Sequence, residues 1–344
     1  MSPQHELKNP DADAQRVIDL MDGFRASKAV FTAVSLGVFD RLHQGPATCE
    51  TLAGEFHCHP EAFERLLGAC AGLGVLKIEQ RLYHNLPVAT RFLRVASSES
   101  LSGYILYSER VLYRLWSHLQ DAVREGSHRW EQEFGKKENL FDHFLSTEGE
   151  KRTFLAAMHC LGLMSSPVAV AAFDLGSFDR LVDLGGGTGH LVIEACKRYP
   201  NLRGAVFDLP PVAAVSTEYV TQAGLQDRIE ILQGDFFQDE LPPADLYNLG
   251  RILHDWSDEK VAQLLEKIHR RLPEKGGLLL CEKLLNEERD GPATAYLQSL
   301  NMLVVTEGRE RSASEYEALT KAAGFRSFRS HRTGQPVDVM LAEK

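Results

Sequence analysis

Apolar positions recur along the first third of the chain at helical spacing. From about Ala14, the residues Val17, Leu20, Met21, Phe24, Phe31 and Val34 fall three, four or seven apart, which is one face of a helix that Gly37 ends. Residues 1 to about 15 are polar and read as a loose tail. The pattern predicts a short helix over Thr48–Glu55, with Thr48 placed to cap it and Glu50 in its opening turn. It predicts a second helix over Pro60–Leu73, where Pro60 suits the first turn. The run from Gly74 to Asn85 predicts two short strands about a polar turn. Helices followed by a hairpin are the plan of a winged helix. From about Ser97 to Leu163 the pattern stays helical. Tyr104, Tyr107, Tyr113, Trp116, Phe134, Phe141, Phe144 and Phe154 are spread along it, most of them as core, and residues 125–140 are expected to form an irregular loop.

After about residue 178 the period changes. Leu181–Leu184, Ala205–Phe207, Ile229–Leu232, Leu246–Leu249 and Leu278–Cys281 read as buried strands. Helices are expected between them near 188–199, 210–222 and 257–272. Strands alternating with helices imply βαβ units and a parallel sheet. The end differs: after a helix at Ser314–Ala323, Phe325–Arg332 and Val337–Ala342 are joined by Thr-Gly-Gln-Pro, which predicts a hairpin. The expectation is an α/β fold of five parallel strands plus an antiparallel pair, divided into 1–95, 96–165 and 166–344.

Charge narrows the function. The net charge is −10, and residues 1–94 carry 10 Lys/Arg against 11 Asp/Glu. A winged helix that read DNA would need a basic recognition face, and Pro60–Leu73 carries one Arg and two Glu. Self-association is the reading preferred for this module, with no nucleic acid and no membrane surface as partner. The six cysteines are scattered without a CxxC pair, and no basic-then-apolar leader opens the chain, so reduced thiols in the cytoplasm are expected.

Candidate chemistry clusters at the ends of the predicted strands. The first runs into Asp183-Leu-Gly-Gly-Gly-Thr-Gly-His, whose glycines at 185, 187 and 189 let backbone approach a ligand closely. A dinucleotide fingerprint would need a third glycine where His190 stands, and no P-loop is present. The second strand ends at Asp208, an acid suited to the two hydroxyls of a ribose. The third ends in Gly234-Asp235-Phe236, where Asp235 can accept from an exocyclic amine and Phe236 can cover an adenine face. Together they describe an adenosine site without a phosphate cradle. The fourth strand leads to Arg251-Ile-Leu-His254-Asp255-Trp256. A histidine at that edge, with an ordinary pKa of roughly 6.5, is a candidate general base. Glu282 follows the fifth strand on the same edge, and Glu310 sits in Gly308-Arg-Glu-Arg-Ser, where a salt bridge to a neighbouring Arg is the competing reading. Asp258 and Glu259 fall in a helix's first turn behind Ser257, and His57-Cys58-His59 lacks a second ligand pair, so no metal is expected.

The runs LVDLGGGTGH, VFDLP, GDFF, RILHDW, GGLLLCEKLL and SLNMLVVTEGRERS, with LGVFDRL and HLQDAVREG nearer the start, resemble the small-molecule O-methyltransferases that use S-adenosylmethionine. The likeness is greatest to their hydroxyindole (acetylserotonin) branch. The resemblance implies a Rossmann-like class I methyltransferase sheet and an N-terminal dimerisation domain. It implies that Gly185, Asp208, Gly234, Asp235, Phe236 and Arg251 contact S-adenosylmethionine. It further implies that His254 is the base, that Glu282 and Glu310 flank and orient it, and that Asp255 and Asn301 meet a small aromatic hydroxyl substrate. Val305 stands where that branch leads one to expect Gln, and Leu145 and Gly162 stand at expected aromatic positions, which counts against N-acetylserotonin as the acceptor. The alternatives are a methyltransferase fold with altered chemistry and a winged-helix transcriptional regulator.

Overall fold

The computed structural model describes residues 11–135 and 140–344. The chain forms two compact units that divide between Glu109 and Arg110.

In the N-terminal unit, a helix spans Ala12–Ser35, capped by the Asp11 carboxylate accepting from the Asp13 N–H. Helices Val38–His43, Cys49–Glu55 and Pro60–Gly72 follow. The Thr48 hydroxyl accepts from the Thr51 N–H at 3.3 Å, satisfying one of the amides a helix start leaves unpaired. Strands β1 (Leu76–Glu79) and β2 (Leu82–Asn85) pair antiparallel, with Leu76 opposite Asn85. Phe39, Leu52, Leu67 and Leu76 build the core, to which the long helix gives Ala33 and Val34. Its earlier apolar positions do not join that core. Val17, Leu20, Met21 and Phe24 are 56%, 76%, 66% and 52% exposed. The helical spacing predicts a face correctly, but that face lies on the surface of the unit.

The C-terminal unit is built on one seven-stranded sheet. Strands β3 (Arg180–Leu184), β4 (Arg203–Asp208), β5 (Ile229–Gln233), β6 (Leu246–Gly250) and β7 (Gly277–Glu282) run parallel. A small separate pair joins β8 (Leu284–Leu285) to β9 (Arg311–Ser312). The hairpin of β10 (Ser327–His331) and β11 (Asp338–Glu343) closes one edge, with β11 antiparallel to β7. The order is β10-β11-β7-β6-β3-β4-β5. The central strands β3, β4, β6 and β7 are mostly buried because helices cover both faces. Leu181, Val206 and Leu279 pack with helix His190–Arg198 on one side. Val182, Leu184 and Leu280 pack with helix Asp258–Arg271 on the other. The chain steps outward from β3 through β4 to β5, then returns to β6 on the other flank of β3. That reversal opens a crevice at the carboxyl ends of β3 and β6, where α/β sheets bind their ligands.

Among the elements that depart from the sequence expectation are two helices. The 125–140 stretch contains a helix, Trp130–Phe134. Trp130 is fully buried and its indole N–H donates to the Val305 carbonyl at 2.7 Å, a distant anchor that no local pattern announces. Helix Ala293–Val305, which supplies that carbonyl, is also absent from the sequence prediction.

Candidate active site

The loop after β3 has positive φ at Gly185 (68°), Gly187 (56°) and Gly189 (77°), a conformation side-chain-bearing residues seldom adopt. A Cβ at Gly185 would lie 2.6 Å from Ile252 Cδ1 and 3.4 Å from the Phe236 ring. The glycine loop, the turn after β5 and the turn before His254 therefore converge at one point. Asp208, at the tip of β4, accepts from the Gly187 N–H at 2.8 Å with one oxygen and from the Leu209 N–H at 2.7 Å with the other. Burial pushes this carboxyl up to about 6 against those two bonds, so it is mostly ionised at neutral pH. Each oxygen keeps acceptor capacity for one more donor, which is what a ribose diol requires. The Gly234 N–H holds the Asp208 carbonyl at 3.0 Å. Asp235 uses one oxygen on the Phe237 N–H at 2.8 Å within its own turn. This acceptor set fits the hydroxyls and amine of an adenosyl group.

In the sequence His190 stands out only as the residue that breaks the dinucleotide fingerprint. Its Nδ1 meets the Ser166 hydroxyl at 2.7 Å, and burial with Arg251 and His159 nearby pushes the ring down to about 3, so it is neutral. His159 meets Thr188 on the glycine loop at 2.8 Å, and burial likewise holds it down, to about 4. A Cβ at Gly162 would lie 2.2 Å from the His190 ring. Gly162, the expected aromatic position, is thus bare because His190 fills the space beside it. The signal was a bulky residue inside the loop and a missing one in a facing helix.

Arg251 leaves β6 with φ 55°, its N–H donating to the Cys281 carbonyl at 3.0 Å, and its guanidinium reaches the Ser165 hydroxyl at 3.5 Å. The chain then forms a 3₁₀ turn, Leu253–Asp255, that buries His254 at 5% exposure. One Glu282 oxygen clamps this turn, accepting from the Ile252 and Leu253 N–H groups at 3.0 and 2.8 Å. Its other oxygen lies 3.3 Å from His254 Nδ1. Glu310 lies closer, 2.7 Å from Nδ1. It gets there because Gly308 passes His254 so tightly that a Cβ would sit 2.1 Å from the His254 carbonyl. The neighbouring arginines turn to other acids: Arg311 pairs with Asp258 at 2.6 Å, and Arg309 with Glu315 at 2.9 Å and Asp258 at 3.1 Å. Nδ1 carries a hydrogen toward the Glu310 carboxylate, so in the neutral ring it is Nε2 that presents the lone pair. Burial disfavours the charged ring, but Glu282, Glu310 and Asp255 outweigh it and raise His254 to about 10. Burial, opposed by His254 and reinforced by Glu310, pushes Glu282 up to about 7. Asp255 lies 3.8 Å from Nε2, and burial, opposed by His254, raises it to about 6. Asn301 accepts from the Trp116 indole at 2.8 Å. Trp256 closes the turn, stacked on Phe141 at 5.4 Å and meeting Phe237 edge-on at 4.9 Å. Among the described residues, His254, Glu282 and Glu310 are the one cluster with the spacing of metal ligands.

A mostly parallel sheet of this strand order, with a glycine-rich turn after its first strand and an acid at the tip of its second, is a class I methyltransferase sheet. The family profile of the O-methyltransferase domain matches residues 116–326, and that of the O-methyltransferase dimerisation domain matches residues 18–95. Acetylserotonin O-methyltransferase of Gallus gallus is 40% identical over 337 residues, covering 96% of this chain and 97% of that one. The crystal structure of human N-acetylserotonin methyltransferase with S-adenosylmethionine superposes with a TM-score of 0.93 at 38% identity, covering 98% and 99% of the two chains. Mitomycin 7-O-methyltransferase superposes at 0.85 with 30% identity, over 97% and 98%. The chain belongs to this family of S-adenosylmethionine-dependent O-methyltransferases. No helix among the described residues is long and apolar enough to cross a membrane.

Proposed function

We propose that this chain transfers a methyl group to the hydroxyl of a small aromatic acceptor, a phenol or a hydroxyindole, with His254 as general base. The observation that carries the reading is the buried His254 turn, its Nδ1 held 2.7 Å from Glu310, so that in the deprotonated ring Nε2 is the nitrogen that can accept a proton. S-adenosylmethionine, when bound, supplies an electrophilic methyl on a sulfonium. Asp208 would accept from the ribose hydroxyls, Asp235 from the adenine amine, and Phe236 would cover the base. Gly185, Gly234 and Arg251 complete that set. His254 Nε2 takes the acceptor's hydroxyl proton as the oxygen–carbon bond forms and the carbon–sulfur bond breaks, then passes it to solvent. Glu282 and Glu310 stabilise the imidazolium, and Asp255 and Asn301 orient the acceptor. A ring raised to about 10 has nearly the proton affinity of a phenol, so the transfer is close to balanced.

We assign His254, Glu282 and Glu310 to proton transfer and not to a metal, because two backbone N–H groups already occupy one Glu282 oxygen. Residues 1–95 would serve dimerisation, 96–165 line the acceptor, and 166–344 hold the cofactor. Two protomers would pair through the N-terminal unit, and the six free cysteines suit the cytoplasm. The acetylserotonin enzymes name one acceptor, and mitomycin 7-O-methyltransferase shows that its acceptors vary among relatives. With Val305, Leu145 and Gly162 as they stand, the preferred acceptor is an aromatic other than N-acetylserotonin, or one whose polar arm is not read at position 305.

The test is methyl transfer from labelled S-adenosylmethionine to a panel of phenols and hydroxyindoles. His254→Ala should lose about 10²- to 10⁴-fold in kcat while binding S-adenosylmethionine as before in calorimetry. Retention of more than about a tenth of wild-type kcat would remove His254 from the base role.

A further inference from the structure

Asn301 and Trp116 lie 185 positions apart and meet through a 2.8 Å hydrogen bond. Both side chains are half-buried, whereas Met302, Val304 and Val305 beside Asn301 are buried. The indole N–H can only donate. The amide oxygen of Asn301 must therefore face Trp116, and its NH2 must face the other way. Among the described residues, no protein group accepts from that NH2. Helix Ala293–Val305, which carries Asn301, packs on the turn that carries His254.

We propose that Trp116 sets the polarity of the acceptor pocket by holding Asn301 as a hydrogen-bond donor toward the substrate. The inference rests on the reading above that Asn301 borders the acceptor. A free asparagine can turn its amide over and serve a donor or an acceptor equally well. One pinned by an indole cannot, because turning would oppose two donors. The enzyme then takes aromatic alcohols whose second polar group is an acceptor, such as an ester or ketone oxygen. It discriminates against those carrying an ammonium there, since that would face the amide hydrogens unpaired. Trp116 is a positioning residue: it acts through Asn301 and touches no reacting atom.

The experiment compares kcat/KM for two phenols of matched length, one with a methyl-ester arm and one with an ammonium arm. Wild type should prefer the ester by about tenfold or more. Asn301→Asp keeps an acceptor for Trp116 but turns an oxygen toward the substrate, and should reverse the preference. Trp116→Phe frees the amide, and the preference should collapse to within about threefold. Unchanged S-adenosylmethionine affinity by calorimetry confirms that each variant is folded. A purely structural role for Trp116 would lower both rates together and leave their ratio at the wild-type value, which would overturn the proposal. So would a wild-type ratio near one, or one unmoved in Asn301→Asp. Methylation of neither phenol by wild type would overturn the aromatic-acceptor reading itself, and the polarity device with it.

Discussion

Removing the Glu310 charge should lower the proton affinity of His254, and the pH profile can read that directly. The ring is raised to about 10 by Glu282, Glu310 and Asp255 against burial, so its neutral form grows as pH rises. Wild-type kcat/KM should climb from pH 7 to beyond 9, and Glu310→Gln should move that limb down by about one unit while reducing kcat. A wild-type limb near 6.5 that stays put in the variant would show that the acids do not set the base. A second prediction concerns Gly162, where a Cβ would come within 2.2 Å of the His190 ring. Gly162→Ala should cost about 1–3 kcal/mol in denaturant unfolding. In a His190→Ala background the sign should reverse, to a gain of about 0.5–1 kcal/mol, because Ala is the better helix residue once the space is open. Additive effects of the two changes would refute the pairing. The sequence exposes such residues unevenly. Asp208 and Glu282 are legible because each is the last residue of a strand, and His254 because it follows one within a single turn. The match of Gly162 to His190 spans 28 positions between two helices, and neither residue alone says that the other fills its space. The Trp116–Asn301 bond is hidden for the same reason.

Among the elements, the central parallel strands are readable because burial on both faces makes them short, mostly apolar runs. Ser257 and Thr48 mark helix starts by the same local chemistry that caps them, with hydroxyls accepting from Lys260 and Thr51. Helix Trp130–Phe134 escapes because what anchors it, the Val305 carbonyl that accepts from the Trp130 indole, lies 175 positions away. Val305 shows the consequence. Its side chain is only 3% exposed and its carbonyl is held by Trp130. Val305→Gln therefore buries an amide and should cost about 1–3 kcal/mol of stability unless a ligand pairs with it. A hydroxyindole with an N-acyl arm should then raise the melting temperature of the variant more than that of wild type. Its kcat/KM relative to a simple phenol should rise about tenfold. Equal thermal shifts and an unmoved ratio would place position 305 outside the acceptor's reach.

At the scale of the whole molecule, the near-neutral charge of residues 1–94 pointed to self-association and away from DNA, and the structure supplies a surface for it. Val17, Ile18, Leu20, Met21 and Phe24 stand 46–76% exposed along the first helix. In a lone protomer they form an apolar stripe of the kind soluble monomers avoid. The sequence could not distinguish this stripe from a core-facing one, because helical spacing is the same whether a face packs inside a chain or against a second copy. The dimerisation profile begins at residue 18, within the stripe. A second protomer is the occupant this argues for, since an isologous contact pairs one stripe with its own copy. Leu20→Glu with Phe24→Glu places two acids per protomer in that contact, four around the axis, on a chain already carrying a net charge of −10. Because both positions are exposed in the single unit, the fold of that unit should be unaffected, and unfolding midpoints should stay near wild type. Light scattering after size exclusion should give twice the chain mass for the native protein and the single chain mass for the variant. A variant that remains dimeric at micromolar concentration would place the interface on another surface of the molecule.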